Sequence, residues 1–369
     1  MKKAIVLWLT LGLLLLSACG SKEPPSAPSS QVPEEIQEAP ADSPPEDSPP
    51  GPQTIEIATA EELLAAAQRI NQGREEELRD TYLLTADIDL AGVEWTPMGM
   101  NLPLKEKDGE WEPGGFSGVF DGQGHTIRNL TINEDQARAL LDQPFGLYTD
   151  GQLDGIGLFY RIGYDGVVKD LRPENAAVLA PLEGRQYGVS AGLLAAYCHG
   201  RVENVSVQGR VQGVSNVGGL VGDVSGRMED ETASLCAVVN CSADVEVTGF
   251  SDMGGLTGFL YFATLRDCSV TGSVTSDLPV SVPGGPSYEG ESPLNIGGLM
   301  GHCLQGRAEN CQAGAVMFTN VSSRCVGSLC GLAEGGSISG CSVDSHINAN
   351  WEAIDAYYHM DFEPEVERS

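Results

Sequence analysis

Basic residues are scarce: 21 Lys and Arg stand against 52 Asp and Glu, for a formal net charge of −31. Phosphate binding needs clustered positive charge, so nucleic acid is excluded as a partner, and peripheral docking on anionic lipid is disfavoured for the same reason. Aromatic residues make up only 6% of the chain. No Cys-x-x-Cys pair exists to argue for zinc, and none of the five histidines forms a His-Glu-x-x-His pattern, so neither a metal centre nor a bound cofactor is expected. Gly is abundant at 46 residues but follows no strict Gly-X-Y period, which rules out collagen. Hydrophobic content of 41% is enough for a core built from small side chains.

The longest apolar run, residues 4–16, is too short to span a bilayer comfortably. It follows Lys2 and Lys3 and precedes Leu16-Ser17-Ala18-Cys19, so residues 1–18 read as a signal peptide. The tetrapeptide resembles the bacterial lipobox. That resemblance implies diacylglycerol attachment at Cys19, and two or more acyl chains hold a protein stably on a membrane. Residues 19–53 then read as a lipidated cysteine followed by a disordered Pro/Glu/Ser linker, which lacks the apolar surface needed to fold. At about 3.1 Å per residue the linker reaches on the order of 100 Å when extended. The expected location is the outer side of a cell membrane, held by lipid.

Order is expected from Thr54. Thr59-Ala60-Glu61-Glu62 forms a capping box, and Leu63, Leu64, Ala67 and Ile70 recur at helical spacing until Asn71-Gln72-Gly73. With the strand-like runs at 82–85 and 88–90, residues 54–115 read as an α/β cap over one end of a solenoid.

From residue 116 to 349 the chain repeats. One anchor is a Gly-Leu strand: Leu193, Leu220, Leu256 and Leu299, each directly after glycine, and Leu329 after Gly327-Ser328. The other follows an Asn, Asp or Gly: Val205, Cys241, Cys268, Cys311 and Cys341. Spacings of 12 residues within a turn and 15 to the next give a basic repeat of 27. Residues 127–132, with Asn129 and Leu130, and 168–171, with Asp170 and Leu171, fit the second anchor as earlier copies. Apolar columns lie three residues before the anchor (Val202, Val238, Leu265, Ala308, Ile338) and two after (Val207, Ala243, Val270, Ala313, Val343). A step of two is a strand, and a step of three places a bend at Asn204, Asn240, Asp267 or Asn310, residues that tolerate left-handed backbone. The fold class expected is all-β: a parallel β-helix of about seven turns, three short strands per turn, roughly 35 Å long at one strand spacing per turn.

Gly-Gly-Leu-x-Gly followed by Asn-Cys resembles the GLUG repeat family. The entry region, 86–90 and 116–127, is similar to the β-helical stalk upstream of the catalytic part in bacterial immunoglobulin-A metalloproteases. The resemblance spans residues 54–349 and implies a surface-exposed, adhesive or ligand-presenting protein. No catalytic residue carries over.

Several features allow more than one reading. Cys241, Cys268, Cys311 and Cys341 read as a stack of buried thiols, with a metal ladder or disulfide staple as the alternative. Pairing of Cys325 with Cys330 stays open. The Asn/Asp column reads as a bend ladder rather than a calcium row. Arg201/Glu203, Arg266/Asp267 and Arg307/Glu309 read as exposed ion pairs rather than catalytic groups. Insertions near 226–234 and 277–292, and one before Phe116, are the expected binding loops, with Trp95, Trp111, Glu229, Asp230, Glu231, Tyr288 and Glu289 as candidates. Residues 350–369 read as an acidic C-terminal cap or tail. The function expected is a non-enzymatic, monomeric surface lipoprotein that binds a glycan or a surface protein. A carbohydrate-active β-helix enzyme and a structural envelope spacer are the alternatives.

Overall fold

The structure is a computed structural model that describes residues 51–74, 77–100, 105–107, 110–112, 114–133, 137, 153–181, 188–227, 235–276, 295–319, 325–344 and 346–349. The leader, Cys19, the linker up to residue 50 and residues 350–369 lie outside the described residues. Among the described residues no helix is long and apolar enough to cross a membrane.

The chain winds into a parallel β-helix. Each full turn carries four strands rather than three. The turn starting at Arg201 shows the pattern: Arg201–Glu203, Ser206–Gln212, Ser215–Gly218 and Val221–Ser225. The fourth strand arises because the Gly-Gly-Leu segment folds the chain sharply between two strands instead of sitting inside one. Stacked turns make four long parallel sheets of nine, eight, six and six strands. The nine-stranded sheet runs from Thr54–Ile57 and Thr81–Leu84 through Val119–Asp121 and on to Ser337–Ser339, and its last seven strands mark seven passes of the coil.

The apolar columns predicted from spacing stack in register. Val202 pairs with Val238, Val238 with Leu265, and Leu265 with Ala308; all four are buried. Each aliphatic side chain removed from water in this way contributes about 1.5–3 kcal/mol. The last turn has no described neighbour beyond it, so Ile338 and Val343 are 43% and 48% exposed at positions that are buried one turn earlier. The core is bulky at its N-terminal end, where Phe116 lies 5.9 Å from Tyr82 and 5.5 Å from Phe159. Further along, aromatic residues give way to Val, Leu, Ile, Met, Ala and Cys.

The helix Ala60–Asn71 has the reciprocal capping box, with Thr59 accepting from Glu62 N–H and Glu62 reaching back to the Thr59 N–H. Its apolar face buries Leu63, Ala66, Ala67 and Ile70. Gly73 follows at φ +72°. This helix joins the first two strands of the nine-stranded sheet.

The bend residues adopt left-handed backbone as expected: Asp170, Asn204, Asn240, Asp267 and Asn310 have φ between +51° and +56°. Their side chains bond along the stack. Asn240 Nδ2 donates to Asn204 Oδ1 at 2.7 Å, Asn204 Nδ2 to Asp170 Oδ1 at 2.9 Å, and Asn310 Nδ2 to Asp267 Oδ1 at 3.2 Å.

Two registers differ from those read in the sequence. Leu194, not Leu193, holds the place of Leu220, because Ala195 pairs with Val221. Asn129 and Leu130 do not share the column of Asn204 and Val205. Val168 pairs with both Phe120 and Val202, so Gly122 is the first-turn counterpart of Asp170 and Asn204. Asn129 sits one bend further round, where Asn175 Nδ2 donates to its Oδ1 at 2.6 Å. Both bends have the same local sequence character, so spacing alone could not separate them.

Candidate functional site

Two polar arrays run along the outside of the coil. The first lies on the eight-stranded sheet. Its strands bend where Ala176, Gly209, Val245 and Gly272 stack in register. Gly209 has φ +155° and Gly272 φ +104°, and a Cβ on either would lie 2.0 Å from the carbonyl oxygen of the turn below. The bend leaves an open groove of about 700 Å³. Two rows of outward side chains flank it. Before the bend stand Asn129, Asn175, Gln208 and Asp244; after it stand Thr131, Arg210 and Glu246. Alternation in a strand sends these polar groups outward while Val207, Val211, Ala243 and Val247 fill the core.

The groove's amides and carboxylates are held in place. Asn129 Nδ2 donates to Asp89 Oδ1 at 2.7 Å. Gln208 Nε2 donates to Asp244 Oδ2 at 3.4 Å, and Thr271 Oγ1 to Asp244 Oδ1 at 2.9 Å. The pattern was available in the sequence as Val-Gln-Gly-Arg-Val (207–211), Ala-Asp-Val-Glu-Val (243–247) and Val-Thr-Gly-Ser-Val (270–274) at equivalent places. Its meaning depends on a bend that spacing does not announce.

The second array lies along the six-stranded sheet that runs from Phe159–Ile162 to Cys330–Glu334, whose strands are four or five residues long. One outward column reads Arg161, Tyr197, Asp223, Phe259, His302, Leu332. The Arg161 guanidinium carbon lies 4.9 Å from the Tyr160 ring centre and 4.8 Å from that of Tyr197. Tyr160 donates to Asp154 Oδ1 at 2.6 Å, and Tyr197 to the Asp154 carbonyl at 2.9 Å. Burial pushes the Asp223 carboxyl up to about 6 and raises Asp252 as well, while it pushes His199 down to about 4. His302 Nδ1 is 3.8 Å from Asp252, and its Nε2 is 2.9 Å from Glu334. Asp154, Asp223 and Asp252 thus share a face with Arg161, but they belong to different turns, and Arg161 packs between rings instead of facing an open cleft.

The sequence-derived candidates fare unevenly. Trp95 is not a surface anchor: it is 2% exposed, and its Nε1 donates to the Leu158 carbonyl at 3.1 Å. The insertion that carries it folds back under the first turn, and the indole fills the wide end of the core. Trp111 sits on an antiparallel hairpin, paired with Glu106. Glu229, Asp230, Glu231, Tyr288 and Glu289 lie outside the described residues, as does Cys19. Arg201 pairs with Glu203, and Arg266 Nε lies 3.8 Å from Asp267, both on an exposed face.

The cysteine column is a stack of buried thiols. Cys241, Cys268 and Cys311 are at most 2% exposed, and none of the nine described cysteines is in a disulfide. Cys241, Cys268 and Cys311 each donate to the carbonyl two residues back, at 3.2–3.3 Å. The neighbouring Cys241 thiol, with burial, pushes Cys268 up to about 12. Protonated, buried thiols of this kind are inert core filling. No disulfide joins Cys325 to Cys330.

Comparison with known proteins agrees with this architecture. Residues 322–348 match the GLUG motif. Halomucin of Haloquadratum walsbyi is 32% identical over 146 residues, a stretch that covers 39% of this chain and 1% of that protein. A crystal structure from Bacteroides ovatus, of a protein provisionally named an immunoglobulin A1 protease, superposes with a TM-score of 0.52 at 18% identity, over 79% of this chain and 77% of that one. At that identity the likeness shows the fold. This chain therefore contains a GLUG motif, in a parallel β-helix shared with the immunoglobulin A1 protease-type structure.

Proposed function

We propose that this chain is a non-enzymatic, extracytoplasmic display module that binds a neutral polyhydroxylated ligand, a glycan, along the groove on the eight-stranded sheet. The observation that carries the reading is the paired row of hydrogen-bonded amide and carboxylate groups at Asn129, Asn175, Gln208 and Asp244, with the Thr131 hydroxyl beside them, over a bend that opens about 700 Å³. Such groups exchange hydrogen bonds with sugar hydroxyls, and a rigid scaffold spares the ordering cost of binding. A net charge of −31 disfavours an acidic polymer. The GLUG motif and the Halomucin match support a surface location. Cys19 supplies the lipid anchor in this reading, and mass spectrometry of the membrane-extracted protein tests it by the added acyl mass.

The test of the groove is a glycan array with the purified protein, alongside Thr131→Ala and Gln208→Ala, both on outward strand positions without left-handed backbone. Neutral glycans bind, and both variants weaken binding at least fivefold without changing the melting temperature. Equal binding by the variants, or none by the parent, overturns the reading. Turnover of a bound glycan would favour the carbohydrate-active alternative, for which the groove supplies Asp244 and Glu246 with Arg210.

A further inference from the structure

The groove on the eight-stranded sheet has a direction, and its two walls differ in chemistry. Five strands line it: Thr131–Asn133, Ala176–Leu179, Ser206–Gln212, Ser242–Gly249 and Ser269–Ser276. They pair in parallel and in register, Thr131 with Ala177, Ala177 with Arg210, and Arg210 with Glu246. At about 4.8 Å between neighbours, these strands span about 19 Å along the coil axis. Across the groove the walls are set by residues two apart on one strand, about 7 Å. The space is therefore long along the axis and one sugar ring wide.

The wall before the bend is engaged with itself. Asn175 Nδ2 donates to Asn129 Oδ1 at 2.6 Å, and Asp244 accepts from both Gln208 and Thr271. The wall after the bend is the opposite. Among the described residues, the side chains of Thr131, Arg210 and Glu246 make no hydrogen bond or ion pair. Arg210 and Glu246 are exposed and adjacent in register, yet they do not pair with each other. A guanidinium that only donates, beside a carboxylate that only accepts, matches the neighbouring hydroxyls of a sugar, each of which can do both.

Resting on the glycan reading of this groove, we propose that its ligand is a linear, unbranched chain of neutral β-1,4-linked hexoses lying parallel to the coil axis, one sugar per turn. Stacking in one register makes the groove straight, and β-1,4-linked hexoses extend straight where α-1,4-linked ones curl. The strand spacing is close to the length of one sugar in such a chain, so each sugar meets the wall residues of a new turn. Gly209 and Gly272 keep side chains off the floor, and the narrow width leaves no place for a branch. Asp244 and Glu246 outnumber Arg210 in the groove, which disfavours an acidic chain.

The experiment titrates the full chain by calorimetry with cello- and manno-oligosaccharides of increasing length. Affinity rises about 2–10-fold with each added sugar, the worth of one net hydrogen bond, and levels off at about five sugars, one for each strand. Glu246→Gln weakens binding at every length. Thr131 stands at one end of the groove, two strands from Arg210. Thr131→Ala therefore weakens the pentasaccharide by about 2–10-fold and leaves the disaccharide unchanged. Malto-oligosaccharides and galactose-branched mannan fragments bind more weakly than linear chains of equal length. Affinity already complete at the disaccharide, equal binding of branched and linear chains, or an equal Thr131→Ala loss at both lengths overturns the axial chain and leaves a glycan-binding groove standing. Array glycans that bind when neither linear series does have the same effect. No glycan binding at all sinks both readings. Should Thr131→Ala fail to fold, the length series on the parent protein decides.

Discussion

The bend ladder gives a sharp test of why this chain coils. Asn240 is exposed, has φ +52°, and donates to Asn204 Oδ1 at 2.7 Å. Replacing it with Ala has two costs. A Cβ-bearing residue without a local hydrogen bond loses about 1–2 kcal/mol in left-handed backbone. The lost amide bond adds about 0.5–1.5 kcal/mol, at the low end because the site is exposed. Asn240→Gly keeps the backbone conformation without strain and loses the hydrogen bond, with a further entropic cost of about 0.5–1 kcal/mol. The last turn carries Gly340 at φ +62° at this position, so glycine fits the bend. The Ala variant should therefore be less stable than the Gly variant by about 1 kcal/mol, or about 2–4 °C in melting temperature. Because stacked repeats sum neighbour terms, the loss should also appear as faster amide exchange in Ala237–Val239 and Thr264–Arg266. Circular dichroism melts and hydrogen exchange read both. An Ala variant as stable as the Gly variant would refute the claim that left-handed backbone, rather than the amide ladder, dictates the residue.

Gly258→Ala should destabilise by about 3 kcal/mol, the upper end of the usual overpacking cost, because the new Cβ would lie 2.3 Å from the backbone of Asn216 and Val217. Gly51→Ala, with nothing within 4 Å, serves as the neutral control in the same urea series. Asp223 has a folded pKa of about 6, above the unfolded value, so its contribution is full below about pH 4 and is lost as pH rises from 4 to 6. Asp223→Asn should therefore exceed the parent in stability at pH 7.5 and match it at pH 4; equal urea midpoints at pH 7.5 count against the assignment. His199 acts in the opposite sense: its folded pKa of about 4 means that stability present above pH 6.5 is lost as pH falls toward 4. A thiol reagent should label Cys325, Cys330 and Cys341 in the native protein and reach Cys241, Cys268 and Cys311 only after denaturation; early labelling of the latter three would contradict a closed core.

Much of the coil was legible because each turn repeats the same burial problem. Val202, Val238, Leu265 and Ala308 occupy one column in the sequence because they occupy one column in space. The bend at Asn204 and Asn240 was readable from a step of three between inward residues. The groove was not, since Gln208 and Asp244 look like ordinary outward residues until Gly209 bends the strand between them and Arg210. Trp95 misled for a related reason: an aromatic in an insertion reads as exposed, yet the first turn has a wide core to fill.

The sequence by itself determined the repeat, the inward columns, the left-handed bends and the helix cap at Thr59. Each of these is enforced by contacts between a residue and its own copies or near neighbours, so each leaves a period or a local motif. Only the tertiary structure decided the fourth strand, the registers of Leu194 and Asn129, and the meeting of Asp252 with Asn295, 43 residues apart across an insertion. Stacking joins residues by the length of each turn, and insertions change that length without altering the pattern on either side.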